Sequence, residues 1–282
     1  MRRVSTVGDL RRALAALRRR GGPVAFVPTM GAIHEGHLSL VRLARRSAAG
    51  VVASIFVNPL QFGPGEDFSR YPRPLRRDRA RFAGEGVDLL WEPRVEDVYP
   101  PGDRTRVRVD GLTEVLEGAS RPGHFEGVTT VVMRLLHAVQ PDVLWLGQKD
   151  AQQAIVIERM CADLLVPVEV RRGPTVREAD GLALSSRNAY LSPRERQHAV
   201  ALSQGLSSAR VLLARGERSS AKLAAAIRRE WAGYPLVKEE YVAVVDAATL
   251  EPVSRVRGRV LVAVSARVGP ARLIDNFEWS PR

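Results

Sequence analysis

Ten consecutive residues, Pro28-Thr29-Met30-Gly31-Ala32-Ile33-His34-Glu35-Gly36-His37, set two imidazoles three positions apart, directly after a short apolar run. Where such a loop turns into a helix, glycine lets the backbone approach a ligand closely. The first amide N–H groups and the helix dipole then favour an anion. Two imidazoles at that point can donate hydrogen bonds to phosphoryl oxygens as negative charge builds in a transition state. A zinc-protease reading fails on spacing: it needs histidines four apart on a helix, and here Gly36 lies between His34 and His37. The competing structural reading is a histidine pair that only caps a helix.

Three further stretches carry polar groups suited to the same kind of ligand. Phe56-Val57-Asn58-Pro59-Leu60-Gln61-Phe62-Gly63 follows a second apolar run, and the amides of Asn58 and Gln61 can bond a carboxylate or hydroxyl without adding charge. Asn-Pro is also a common turn dipeptide, so that stretch is weak evidence alone. Gly147-Gln148-Lys149-Asp150-Ala151-Gln152-Gln153 repeats the strand-to-helix exit, with Lys149 able to neutralise phosphate, Asp150 near the helix start and Gln153 one turn along. Of 43 basic residues only Lys149, Lys222 and Lys238 are lysines. A lysine is a compact point charge that fits among phosphate oxygens, where arginine presents a broad planar fork. Leu184-Ser185-Ser186-Arg187-Asn188 offers two hydroxyls and a guanidinium in a loop that can close over a triphosphate. The bland alternatives are a capped helix with a solvated lysine and a hydrophilic interdomain loop. His137 and His198 fall on expected helices and read as packing or surface residues. His124, between Gly123 and Phe125 and close to Arg121, could line a pocket.

The elements around these stretches alternate. Thr6 caps an expected helix carrying the stripe Leu10, Ala13, Leu14 and Leu17 and ending at Gly21-Gly22-Pro23. Apolar strands are expected at 24–27, 51–57, 87–91, 143–146 and 166–170, with helices at 36–48, 76–83, 127–139 and 150–164. Short continuous apolar strands separated by helices predict a Rossmann-like, doubly wound parallel α/β sheet. Beyond residue 176 the pattern changes to helices at 193–214 and 219–231, then strands at 241–245, 260–264 and 271–276 with no helix between them. We therefore expect two domains, a Rossmann-like unit over 1–176 and a smaller α+β unit over 177–282, packed around a shared site.

Composition narrows the function class. At 282 residues, 45% hydrophobic and 26% charged, the chain suits a folded globular protein rather than a disordered one. No apolar run approaches the ~18 residues that span a bilayer, and residues 1–20 lack the apolar core of a signal peptide. The single cysteine, Cys161, excludes an intramolecular disulfide and points to a reducing, cytoplasmic setting. The net charge of +12 raises nucleic-acid binding, but the arginines are scattered in pairs and triplets and aromatics are only 6%. We expect no nucleic-acid and no membrane partner.

These stretches, together with Tyr71-Pro72-Arg73, Gly123-His124-Phe125, Pro174-Thr175-Val176-Arg177-Glu178 and Arg272-Leu273-Ile274-Asp275-Asn276, resemble the pantoate–β-alanine ligases (pantothenate synthetases), in order and over nearly the whole chain. That family belongs with nucleotidylyltransferases and class I aminoacyl-tRNA synthetases. The resemblance implies pantoate activation by ATP to a pantoyl adenylate, then attack by β-alanine, giving pantothenate, AMP and pyrophosphate. It implies that ATP is bound by Met30, Gly31, Ala32, Ile33, His34, Glu35, Gly36, His37, Gly147, Gln148, Lys149, Asp150, Val176, Leu184, Ser185, Ser186 and Arg187. His37 is implied as the general acid, with His34, Lys149 and Arg187 sharing the catalytic work. Gln61 is implied to hold pantoate and contact β-alanine, and Gln153 to hold pantoate; Asn58 is added from its amide. Mg2+ accompanies the phosphates, and a cytoplasmic homodimer is implied. Arg76 and Arg77 stand before Asp78 where the family commonly has acidic residues, so the metal ligands stay unassigned. Ala151 replaces a usual aromatic and Leu184 a usual methionine, and neither change removes a polar role. A plain nucleotidylyltransferase and a basic RNA-binding module stay as alternatives; salt would weaken the second steeply.

Overall fold

The structure, a computed structural model, describes residues 1–281. The chain folds as two compact units, Met1–Gln148 with Gln152–Pro174, and Lys149–Ala151 with the chain from Thr175 onward.

The first unit contains β1 (Arg2–Val4), α1 (Val7–Arg18), β2 (Val24–Thr29), α2 (Glu35–Ser47), β3 (Gly50–Ile55), α3 (Leu75–Gly84), β4 (Leu89–Trp91), α4 (Val95–Val98), α5 (Glu117–Ser120), α6 (His124–Val139), β5 (Val143–Gly147), α7 (Ala151–Asp163) and β6 (Glu169–Gly173). Its six strands are all parallel, in the order β1-β4-β3-β2-β5-β6. Every residue of β2 and β3 except Pro28 is buried, as expected for strands covered on both faces. Side chains alternate between faces. Ala25, Val27, Val51, Ala53, Val143 and Trp145 join Val41 and Ala44 of α2 and Phe82 of α3 in one core. Phe26, Val52 and Leu144, equally buried, point the other way, where α6 packs on α1 and on β2. After β4 the chain crosses back, so that β5 lies on the far side of β2 from β3. Order reverses there, and ligands in open α/β sheets bind beyond the carboxyl ends of such strands.

Two strands of this unit differ from the sequence reading. Arg2–Val4 forms an edge strand with exposed arginines, which no apolar run announces. The last strand lies at Glu169–Gly173, three residues later than expected. Leu165 takes a positive φ of 52° as the chain leaves α7, and the Val168 N–H bonds back to Val166. Its register on β5 then pairs Glu169 with Arg171 and Arg172 with Glu158 on α7.

The second unit holds α8 (Pro193–Ala199), α9 (Ala201–Ala214), α10 (Ser220–Trp231) and the antiparallel sheet β7 (Val237–Asp246), β8 (Val260–Val268), β9 (Ala271–Trp279). The expected single helix is interrupted at Val200, whose N–H turns onto the His198 carbonyl. β8 is buried throughout except at Arg267, and its Val262 and Val264 pack with Leu202, Leu206, Leu223 and Ile227.

Candidate active site

The loop after β2 is built largely by internal hydrogen bonds. Thr29 Oγ1 donates to the Ser54 carbonyl at 2.7 Å and accepts the Gly31 N–H at 3.2 Å. Gly31 and Ala32 both sit at positive φ, 85° and 50°. The N–H groups of Ala32 and Ile33 donate to the two oxygens of Asp78, at 2.9 and 2.8 Å. Asp78 is completely buried at the start of α3. Burial raises its pKa, while the two amides and Arg81 and Arg77 oppose that rise. A Cβ on Gly31 would stand 3.1 Å from an Asp78 oxygen, so the loop closes tightly on this carboxylate.

His34 is the N-cap of α2: its Nδ1 accepts the Gly36 N–H at 3.1 Å. His37 reciprocates, its Nδ1 accepting the His34 N–H at 3.3 Å, and the two rings lie 4.0 Å apart. A Cβ on Gly36 would come within 2.9 Å of the His34 ring. Because both Nδ1 atoms accept, each neutral ring carries its hydrogen on Nε2. The amides that the sequence offers to an anion, those of Gly31, Ala32, Ile33, His34 and Gly36, already have acceptors. These backbone amides are therefore engaged within the protein, and the hydrogen of each neutral imidazole lies on Nε2.

Beyond β3, Asn58 caps the 3₁₀ turn Pro59–Gln61. Its Nδ2 donates to Gln61 Oε1 at 3.1 Å and to the Gly127 carbonyl at 3.0 Å. Its Oδ1 accepts from the Leu60 N–H at 3.3 Å and the Tyr99 hydroxyl at 2.7 Å. Gln61 Nε2 donates to Met30 Sδ at 2.8 Å, which links this turn to the histidine loop. Asn58 therefore fixes the Gln61 amide with its NH2 group toward Met30.

Gly127 makes the close approach possible. A Cβ there would meet the Leu60 carbonyl oxygen at 2.3 Å and the Gln61 nitrogen at 2.7 Å. Gly127→Ala is expected to destabilise the protein by about 1–3 kcal/mol through overpacking against rigid backbone. Urea denaturation checks this, and an unchanged midpoint would contradict the contact.

β5 ends at Gly147, and Gln148 follows it in the same unit. Gln153, partly buried on α7, has no hydrogen-bond partner for its amide among the described residues, whereas neighbouring Gln152 is buried and bonded to Leu112, Val115 and Glu117. Gln152 thus staples the 112–117 segment.

In the second unit, Asn276 Nδ2 donates to the Lys149 carbonyl at 2.8 Å, and Lys149 Nζ lies 3.5 Å from Asp150. The Leu184 N–H bonds the Val176 carbonyl at 3.0 Å, which brings these two candidates side by side. The hairpin-like segment between them is tied down by Arg177, which holds Asp275 with two bonds of 2.6 and 2.9 Å. Ser185 caps the 3₁₀ helix Ser186–Tyr190 by accepting the Arg187 N–H, and Asn188 anchors to Glu178 and Ala183. Sequence reasoning gave no positioning role to Asp78, Gly127 or Tyr99. Nothing local marks any of them, since each acts on a segment distant in the chain.

Comparison with known proteins fits this arrangement. The pantoate–β-alanine ligase family model matches residues 2–278. Pantothenate synthetase of Moorella thermoacetica is 54% identical over 276 residues, covering 98% of each chain. A crystal structure of pantothenate synthetase from Thermus thermophilus superposes with a TM-score of 0.95 at 51% identity, covering both chains fully. A pantoate–β-alanine ligase from Francisella tularensis, complexed with beta-gamma ATP and β-alanine, gives a TM-score of 0.79 at 32% identity over 98% of this chain and 97% of that one. With a family model spanning almost every residue and full-length relatives above half identity, the chain belongs to the pantoate–β-alanine ligase family.

Proposed function

We propose that this chain condenses pantoate with β-alanine through a pantoyl adenylate, consuming ATP and releasing AMP and pyrophosphate. The pantoate carboxylate oxygen attacks the α-phosphorus, and the bond from that phosphorus to pyrophosphate breaks. The β-alanine amine then attacks the acyl carbon, AMP leaves with the carboxylate oxygen, and the new ammonium loses a proton. The reading is carried by the full-length family match, and the ligands of the Francisella relative, beta-gamma ATP and β-alanine, point the same way.

In this reading the loop from Met30 through Gly31, Ala32, Ile33, His34, Glu35 and Gly36 to His37 takes the nucleotide. Gly147, Gln148, Lys149, Asp150, Val176, Leu184, Ser185, Ser186 and Arg187 complete its contacts. The paired Nδ1 acceptors favour His34 and His37 as Nε2–H donors to phosphoryl oxygens. His37 supplies the proton or hydrogen bond that answers charge on the leaving pyrophosphate. Lys149 and Arg187 supply cations. Gln61 and Gln153 hold pantoate, Gln61 also meets β-alanine, and Asn58 orients Gln61. Among the described residues no three His, Cys, Asp or Glu side chains gather as metal ligands, and both Asp78 oxygens bond amides. The described residues form no protein cage for Mg2+, and in this reading the ion accompanies the phosphates of ATP. No described helix is long and apolar enough to cross a membrane. We place the enzyme in the cytoplasm as a homodimer.

The test is product balance. ATP, pantoate and β-alanine together should give one AMP and one pyrophosphate per amide. AMP that stays bonded to the product would favour the plain nucleotidylyltransferase.

A further inference from the structure

We propose that His124, held between Arg121 and the Gln61 carbonyl, is a positioning residue that sets the orientation of the substrate-holding turn Pro59–Gln61. The inference rests on the reading above that Gln61 holds pantoate.

The geometry is closed on both sides of the imidazole. His124 Nδ1 lies 2.8 Å from the Gln61 carbonyl oxygen, an acceptor only, so Nδ1 carries the hydrogen and donates. His124 Nε2 lies 3.0 Å from Arg121 Nη1, a donor only, so Nε2 accepts. Two neighbours of fixed role therefore select one neutral tautomer. Arg121 is itself locked, giving Glu66 two bonds of 2.7 and 2.6 Å and the Gln61 carbonyl a third at 3.2 Å. The Gln61 peptide thus receives two side-chain donors, although it lies in a single 3₁₀ turn with few bonds of its own.

The first turn of α6 supplies the rest of the grip. Gly123, at φ 81°, ends the loop and turns His124 into the helix. Three residues on, the Gly127 carbonyl accepts from Asn58, and its bare Cα lies against Leu60. The turn is therefore docked on one helix end at three points. Orienting the Gln61 peptide plane fixes the direction of its Cα–Cβ bond, and Asn58 and Met30 then fix the amide. Protonating His124 would put an N–H against the Arg121 guanidinium. Arg121 and burial oppose that charge, and Glu66 and Glu117 favour it. Burial dominates, lowering the pKa to about 4. The clamp therefore holds across the neutral range. His124 is neutral when folded but titrates near 6.5 when unfolded. Its contribution to stability is complete above about pH 6.5 and is lost as the pH falls through about 4.

Steady-state kinetics of four variants test the inference. His124→Ala should raise KM for pantoate on the order of 10-fold while KM for ATP stays within about twofold, the signature of one displaced substrate contact. His124→Asn, whose amide can donate near the Nδ1 position, should restore most of the loss. His124→Gln, which reaches toward the Nε2 position, should not. Thermal denaturation between about pH 6.5 and 4 adds a second readout: the wild type should lose a titrating component that His124→Asn lacks. Gln61→Ala separates the two readings. If it leaves pantoate KM unchanged, the assignment of Gln61 and this inference fall together. If Gln61→Ala is impaired and His124→Ala is normal, only the inference falls. Equal losses for pantoate and ATP in the Ala and Asn variants would also overturn it, because they would mark general support of the fold.

Discussion

Lys149→Ala is expected to lower the rate of adenylate formation by on the order of 10²-fold or more, as loss of a transition-state cation does. Arginine outnumbers lysine 40 to 3 here, 43 basic residues less three lysines, so a lysine at the exit of β5 is a departure from the chain's own habit. The surroundings suit a charge that must be given up to a ligand. The main chain is fixed by the Asn276 bond, and the side chain is only 20% exposed. Its single ion-pair partner among the described residues is Asp150, at a loose 3.5 Å. The backbone is thus pinned while the ammonium stays lightly engaged. Lys149→Arg should recover only part of the rate, because the wider fork cannot enter the same place among phosphate oxygens. Pyrophosphate exchange into ATP, measured with pantoate present, reports the step. Full activity of Lys149→Arg would remove the point-charge argument.

His37→Ala should reduce kcat for adenylation by about 10²- to 10³-fold while weakening ATP binding much less, since its hydrogen bond strengthens as charge develops. The structure also makes His37 a helix-capping partner through Nδ1, so the alanine variant removes two things at once. Two further variants separate them. His37→Asn keeps an acceptor near Nδ1 for the His34 amide but has no donor at the Nε2 position. His37→Gln reaches that position and keeps a donor there. Rescue of kcat by glutamine and not by asparagine supports the catalytic role. Rescue by asparagine alone would reduce His37 to a cap.

The sheet was legible because its strands are short continuous apolar runs, and the histidine loop because glycine and two imidazoles directly follow one of them. The closure of that loop was not. The amides of Ala32 and Ile33 look open to an anion until Asp78, far along the chain on α3, is seen to fill them. In the sequence Gly127 only opens the expected helix 127–139, and the packed chain alone reveals a carbonyl where its side chain would be. The edge strand expected at 166–170 lies three residues later, at Glu169–Gly173, for a related reason: its arginines pair with carboxylates on itself and on α7, which apolar patterning cannot register. The same pairing recurs at Arg42, Arg79, Arg196, Arg228 and Arg259. Much of the positive charge is thereby answered locally rather than gathered into one anion-binding stripe. This agrees with a small-molecule enzyme more than with an RNA-binding module.

The most direct test of the adenylate mechanism follows oxygen. Pantoate labelled with oxygen-18 in its carboxylate is incubated with the enzyme, MgATP and β-alanine, and the AMP is weighed by mass spectrometry. The attacking oxygen stays on phosphorus when the amine displaces AMP from carbon, so one labelled oxygen should appear in each AMP formed. AMP without label, alongside pantothenate, would contradict carboxylate activation by adenylation.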